Sequence, residues 1–199
     1  MKGYQFLYKH LRKFFTWFFR IEIVGAENEP TDRPILVCSN HLSNWDVVLM
    51  AWAIHRQVRF LAKKELFSVP IVKGFVTAMG AFPTDRGTAD LKSLRTAIDI
   101  LKSGGVVGIF PQGHRMPKRE PKTTGVKNGC AVIAHRANAT ILPMAIKTKG
   151  WKILPFRKVT IYFGKPIPPE ELDIERESKE EYTKASEYVF SKITELLDE

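Results

Sequence analysis

Residues 35–46 read ILVCSNHLSNWD and constrain this chain more than any other stretch. The run 35–38 is wholly apolar and of strand length, so it reads as a buried strand. Ser39, Asn40 and His41 carry the chain off its end, and Ser43 or Asn44 can then cap a helix opening at Trp45 and Asp46. The same alternation of strand and helix runs through the rest of the chain. Strands are expected over 20–24, 58–62, 106–110, 140–146 and 159–163, and helices over 46–54, 88–102 and 125–137. Leu91, Leu94, Ile98 and Leu101 recur at helical spacing before Gly104 and Gly105 end their helix. Strands alternating with helices imply an α/β layer fold with a central, largely parallel or mixed sheet flanked by helices. A length of 199 residues, 44% of them apolar, suits a single domain with a sizeable core.

The turn after the first buried strand also carries chemistry. His41 lies in the turn and Asp46 in the first helical turn, near enough to fold back on the imidazole. An aspartate that accepts one ring N–H fixes the tautomer and leaves the other nitrogen free to take a proton, as a general base needs. Cys38, Ser39 and Ser43 lie near His41, so a covalent route is the rival to direct attack by a substrate hydroxyl. Cys38 and Cys130 fall in apolar surroundings without metal-ligand spacing, which reads as two buried thiols in a reducing compartment, with cytosol the default. His114 could join His41 and Asp46 as a metal ligand, but no metal-site spacing accompanies it, and no metal is expected.

The net charge of +10 favours an anionic partner: nucleic acid, an anionic membrane surface, an acidic lipid or an acidic carrier protein. Residues 1–20 hold no acid. At 100° per residue Tyr4, Leu7, Tyr8, Leu11, Phe14, Phe15, Phe18 and Phe19 share one face, opposite Lys9, Arg12, Lys13 and Arg20. Such a helix either docks on the protein's own core or lies in a membrane interface. Its aromatic bulk, with Phe14, Phe15, Trp17, Phe18 and Phe19 as contacts, favours the interface. It is too short in apolar residues to span a bilayer and has no small-residue cleavage site. Nucleic-acid binding calls for basic residues interleaved with aromatics across one sheet or helix face, and among the expected strands and helices only residues 1–20 carry such a face, so nucleic acid is not expected as a partner. The apolar stretch 66–82, broken by Pro70, Gly74 and Gly80, reads as a buried helix or a second lipid-facing surface. Residues 170–199 read as a charged helical tail able to dock through Tyr182, Val189, Ile193, Leu196 and Leu197. The expected organisation is an amphipathic helix over 1–20, a domain over 21–169 and the tail.

The block Asn40-His41-Leu42-Ser43-Asn44-Trp45-Asp46 resembles the NHxxxxD motif of the glycerolipid acyltransferases, the family that includes the 1-acylglycerol-3-phosphate acyltransferases. Further blocks follow in that family's order: Lys64-Glu65-Leu66, then residues 80–86 ending in Arg86, then Phe110-Pro111-Gln112-Gly113-His114-Arg115, then Ile141-Leu142-Pro143-Met144. Two positions depart from the pattern. Gln112 stands where the family usually has Glu, and His114 where it has Thr or another small residue. The resemblance implies transfer of a fatty acyl group from a thioester to the hydroxyl of a lysophospholipid, with His41 as base and Asp46 orienting it. Arg86 and Arg115 would hold the acceptor phosphate, with Gly113, Gln112, Lys64 and Lys122 as further binding candidates. No cofactor is implied. The acyl donor, coenzyme A or an acidic acyl carrier protein, enters as substrate at the cytoplasmic face of an anionic membrane.

Overall fold

The computed structural model describes residues 15–68, 70–78, 80–84 and 91–199. Seven strands, β1 (Ile21–Val24), β2 (Ile35–Ser39), β3 (Val58–Lys63), β4 (Ala81–Thr84), β5 (Val106–Ile109), β6 (Thr140–Thr148) and β7 (Val159–Phe163), form one sheet in the order β1-β7-β6-β2-β5-β3-β4. Strands β2 to β6 run in one direction. β7 turns antiparallel to β6, and β1 lies parallel to β7, so the sheet is mixed at that end. Besides a helical turn at 15–18 and short 3-10 turns, the described residues form α1 (Trp45–Ala53), α2 (Pro70–Ala78), α3 (Leu91–Lys102), α4 (Gly129–Ala137) and α5 (Lys179–Glu195).

β2 is buried at every position because it lies near the middle of the sheet with apolar layers on both faces. Leu36 and Cys38 face a layer built from α3, α4 and α5, including Leu101, Ile133, Val189 and Ile193. Ile35 and Val37 face the other layer, built from Leu49, Met50 and Ala53 of α1 together with Phe19. Close approach of α1 depends on Gly108 in β5: a Cβ there would meet Met50 Sδ at 2.5 Å and Phe60 Cε1 at 2.6 Å.

From β2 the chain crosses through α1 to β3, two places along the sheet, and α3 later returns it to insert β5 between them. β2 and β5 are parallel neighbours, so the loops leaving their carboxyl ends emerge side by side. A crevice at this position is where open α/β sheets place their ligands.

Several elements differ from expectation. β4 takes the end of the apolar stretch expected as a buried helix or lipid-facing surface, and its Pro83 is tolerated because β4 is an edge strand paired with β3 alone. α4 starts at Gly129 rather than 125, because the preceding chain uses the Lys127 N–H to bond the Pro111 carbonyl at 2.8 Å. The tail is not helical throughout. A 3-10 turn at Pro169–Leu172 ends at Asp173, whose φ is +50°, and α5 starts only where Ser178 and Glu181 form a reciprocal capping box. Tyr182, Val189, Ile193, Leu196 and Leu197 are buried in the core.

Residues 1–14, including Phe14 and most of the expected amphipathic helix, lie outside the described residues. The last turn of that segment corrects one expectation. Phe19 is only 1% exposed and belongs to the core face beneath α1, its ring 5.1 Å from that of Trp45, so it cannot meet lipid. Phe15 and Phe18 are half-buried against the same layer, whereas Trp17 is 64% exposed. A single helical turn has turned its aromatic residues both inward and outward.

Candidate active site

Where β2 ends, its last pairing is Ser39 with Met144 of β6, and the main chain then leaves the sheet. Asn40 makes that departure possible. Its carboxamide donates to the Ile146 carbonyl at 2.9 Å and accepts from the Ile146 N–H at 2.8 Å, so a side chain continues the ladder in place of backbone. The Asn40 side chain is fully buried, and without it both β6 groups would be stranded away from water.

The turn that follows wraps around Asp46. One carboxylate oxygen, Oδ2, accepts from the Leu42 N–H at 2.5 Å, the Ser43 N–H at 2.7 Å and His41 Nδ1 at 2.8 Å. A carboxylate can only accept from these partners, so Nδ1 carries the hydrogen and Nε2 is left as the basic nitrogen. Asp46 is wholly buried and its Oδ1 has no partner among the described residues. Burial pushes its carboxyl above the usual aspartate range, against the opposing pull of His41 and the Ser43 and Leu42 N–H groups.

The loop after β5 grips the same histidine. Gln112 Oε1 accepts the His41 N–H at 2.6 Å, and the Met116 N–H donates to the His41 carbonyl at 2.7 Å. The Phe110 ring stacks on the imidazole with centroids 3.9 Å apart and planes 10° from parallel. His41 is 7% exposed, so the ring is held on one face, along one edge and through both backbone groups. The imidazole is thereby held in one position by the protein. Among the described residues no serine or cysteine hydrogen-bonds the imidazole. Ser39 Oγ turns to the Asn40 carbonyl, Ser43 Oγ accepts the Trp45 N–H, and Cys38 is fully buried with its thiol pushed up by desolvation.

A family model described as acyltransferase matches residues 20–147, which include both the His41 turn and the loop that grips it. This chain belongs to the acyltransferase family. It is 31% identical over 180 residues to the 1-acyl-sn-glycerol-3-phosphate acyltransferase of Bacillus subtilis, covering 88% of this chain and 87% of that one. It is 33% identical over 142 residues to the Streptococcus pneumoniae protein of the same name, covering 68% of this chain and about half, 51%, of that one. The crystal structure of the 1-acyl-sn-glycerophosphate (LPA) acyltransferase PlsC from Thermotoga maritima superposes with a TM-score of 0.76 at 27% identity, over 99% of this chain and 80% of that one.

In this acyltransferase the residues expected to bind substrate separate into distinct groups. Gln112 is 1% exposed, and both ends of its amide are taken: Oε1 by His41 and Nε2 by Thr124 Oγ1 at 2.7 Å. Its amide holds the His41 backbone and faces protein on both sides, not a ligand. Gly113 has φ +73°, a conformation that favours glycine, whereas a Cβ there would meet only the flexible end of the Lys127 side chain. Arg115 and His114 are exposed on this loop beyond Gly113. Among the described residues no group of three His, Cys, Asp or Glu is placed to hold a metal ion. Lys122 is drawn into an ion pair with Asp198 beyond the end of α5. Lys64 is exposed at the end of β3, and Arg86 lies outside the described residues.

Sequence reasoning passed over Asn40, Phe110, Met116 and Thr124. Asn40 and Phe110 stand inside quoted motifs, so a signal was present, but their roles depend on partners in other elements. Met116 acts through its backbone, which its residue type does not reveal.

Proposed function

We propose that the protein moves a fatty acyl group from an acyl thioester to the free hydroxyl of 1-acylglycerol-3-phosphate, giving phosphatidate, with His41 as general base oriented by Asp46. The hydroxyl hydrogen-bonds His41 Nε2. As its oxygen attacks the thioester carbonyl, the proton passes to Nε2 and the imidazolium is stabilised by Asp46 through Nδ1–H. The tetrahedral intermediate collapses by expelling the thiolate, which takes the proton back and leaves as a thiol. The ester is formed and His41 is neutral again. The observation that carries this reading is the 2.8 Å bond from Nδ1 to a fully buried carboxylate, in a turn where the Ser39 and Ser43 hydroxyls hydrogen-bond elsewhere and Cys38 is fully buried. Names of relatives that share most of this chain support the same acceptor. Gln112 gives no reason to prefer a different lysolipid, because its amide is engaged by protein on both sides. The donor is the thioester of coenzyme A or of an acidic acyl carrier protein, which the net charge of +10 would attract. Arg115, with Arg86, is the proposed anchor for the acceptor phosphate.

The reaction takes place at an anionic membrane surface to which the protein attaches peripherally. Among the described residues no helix is long and apolar enough to cross a membrane.

The test is kcat/KM for lysophosphatidate and for monoacylglycerol in wild type, Arg86→Ala and Arg115→Ala. Loss of a charge-assisted bond worth about 1.5 to 3 kcal/mol should lower the lysophosphatidate value roughly ten- to a hundredfold and leave monoacylglycerol nearly unchanged. Equal proportional losses on the two acceptors would remove the phosphate assignment. His41→Ala should abolish transfer to either acceptor, and a trapped acyl-enzyme would favour a covalent route instead.

A further inference from the structure

Phe156 is 56% exposed at the corner of a turn between β6 and β7, and its φ is +60°. Pro155 precedes it, and the turn is closed by the Arg157 N–H donating to the Leu154 carbonyl at 3.2 Å. The third position of such a turn ordinarily belongs to glycine or asparagine, because a Cβ is strained at positive φ. A large aromatic residue placed there, and turned to solvent, lowers stability without filling any core.

The ring is not isolated. It meets Trp17 edge-on at 5.4 Å and Phe18 at 5.2 Å, and its backbone N–H donates to the Phe18 carbonyl at 2.7 Å. Phe18 touches Phe19 at 4.9 Å, and Phe19 touches Trp45 at 5.1 Å. A chain of ring contacts therefore runs from Phe156, through the buried Phe19, to Trp45, the residue before Asp46. Trp17, Phe156 and Trp45 are its exposed members, at 64%, 56% and 41%. Around the turn, residues 147–158 carry Lys147, Lys149, Lys152, Arg157 and Lys158 and no acid. Lys158 is paired with Glu22 at 2.7 Å, while Lys149 and Lys152 are exposed. The Trp151 carbonyl accepts the Lys118 N–H at 3.2 Å, which ties this connection to the loop carrying Arg115.

We propose that the β6–β7 connection is a membrane-contacting element in its own right, with Phe156 entering the interface of an anionic bilayer beside Trp17 while Lys149 and Lys152 meet lipid headgroups. The proposal rests on the reading of the protein as a lysolipid acyltransferase. Aromatic rings flanked by lysines are matched in chemistry by the boundary between acyl chains and anionic headgroups. Contact there presents the His41 turn and the Arg115 loop to an acceptor still embedded in lipid.

The experiment uses the full chain, wild type and two variants, Phe156→Gly and Phe156→Asn, both of which suit positive φ. Partition is measured by sedimentation with phosphatidylcholine vesicles, with and without phosphatidylglycerol. Thermal stability without vesicles and turnover of a short-chain lysophosphatidate dispersed as monomers are measured alongside. Both variants should bind phosphatidylglycerol vesicles about tenfold more weakly, as loss of one buried aromatic ring dictates. Their Tm should equal or exceed that of wild type because the strain is relieved, and turnover of the monomeric acceptor should be unchanged. Lys152→Glu should weaken binding only where phosphatidylglycerol is present. Unchanged partition in both Phe156 variants would overturn the proposal. So would a dimer that dissociates in the variants while vesicle binding persists, since the patch would then be a self-association surface. Equal loss of turnover on the monomeric acceptor would also overturn it, by making the turn a support for the site. A wild type inactive on that acceptor would sink the acyltransferase reading alone, because partition is read without chemistry.

Discussion

Replacing Asp46 by asparagine tests whether the aspartate acts through its charge or by selecting the tautomer of His41. In many base–orienter pairs an amide can present its NH2 to the imidazole and impose the wrong tautomer, at a cost of roughly 10⁴ in kcat. Here the surroundings forbid that rotation. Oδ2 receives the Leu42 and Ser43 N–H groups at 2.5 and 2.7 Å, and an NH2 in its place would set donor against donor. The amide oxygen must therefore occupy the Oδ2 position, where His41 Nδ1–H still donates to it. The NH2 then falls where Oδ1 now lies without a partner. Only the charge is removed. The lower bound of its effect is the difference between a charge-assisted and a neutral hydrogen bond, about 1.5 kcal/mol. The upper bound is the attraction of unit charges about 4 Å apart at an effective dielectric near 20, about 4 kcal/mol. kcat should thus fall roughly tenfold to a thousandfold, with KM for both substrates little changed.

Stability should move the other way. Burial raises the Asp46 carboxyl above 3.8, so its contribution favours folding below about pH 3.8 and is lost as pH rises through the folded-state value. The asparagine variant lacks that penalty, so its Tm should exceed that of wild type at pH 7, and the gap should close below about pH 3.8. Single-turnover kinetics give the rate, and ¹⁵N chemical shifts of the His41 ring report its tautomer. A loss near 10⁴ with the hydrogen on Nε2 would refute the argument, as would a variant less stable than wild type at neutral pH.

Gln112→Ala strips the acceptor from the buried His41 N–H, so Tm should drop by the equivalent of about 1 to 3 kcal/mol and kcat should fall more than acceptor KM rises. A change confined to KM would restore Gln112 to the list of ligand-binding residues. Asn40→Ala leaves the Ile146 N–H and carbonyl unpaired, and urea denaturation should show a loss of about 2 to 4 kcal/mol. A near-neutral result would mean that water replaces the carboxamide. Gly108→Ala drives a methyl group into Met50 and Phe60, and should cost about 1 to 3 kcal/mol in the same assay. Full stability would show that α1 can move away from β5 freely.

The sequence alone determined what is local. The run 35–38 is a strand because it is apolar and short, and Asp46 reaches His41 because five residues across a strand-to-helix turn leave the two side chains side by side. Amino-acid type and spacing encode such relations directly. The order of the motif blocks is likewise a property of the chain alone, and the resemblance to acyltransferases rests on it without any tertiary contact. Lateral neighbours are encoded differently. Side-chain alternation tells a strand which face is buried, not which strand lies beside it, so the insertion of β5 between β2 and β3 was decided by packing of the crossover helices. From that insertion follow the Gln112 bond to His41, 71 residues away, and the Asn40 bond to Ile146, 106 residues away. The departure from the family's glutamate drew attention to Gln112, but only the fold showed that its amide faces protein on both sides. The aromatic residues at the start of the chain make the same point. A core and a bilayer are both apolar, and an aromatic stripe satisfies either. Phe19 packs inward with Ile35, Val37 and Leu49, while Trp17, two residues earlier on the same turn, is left 64% exposed.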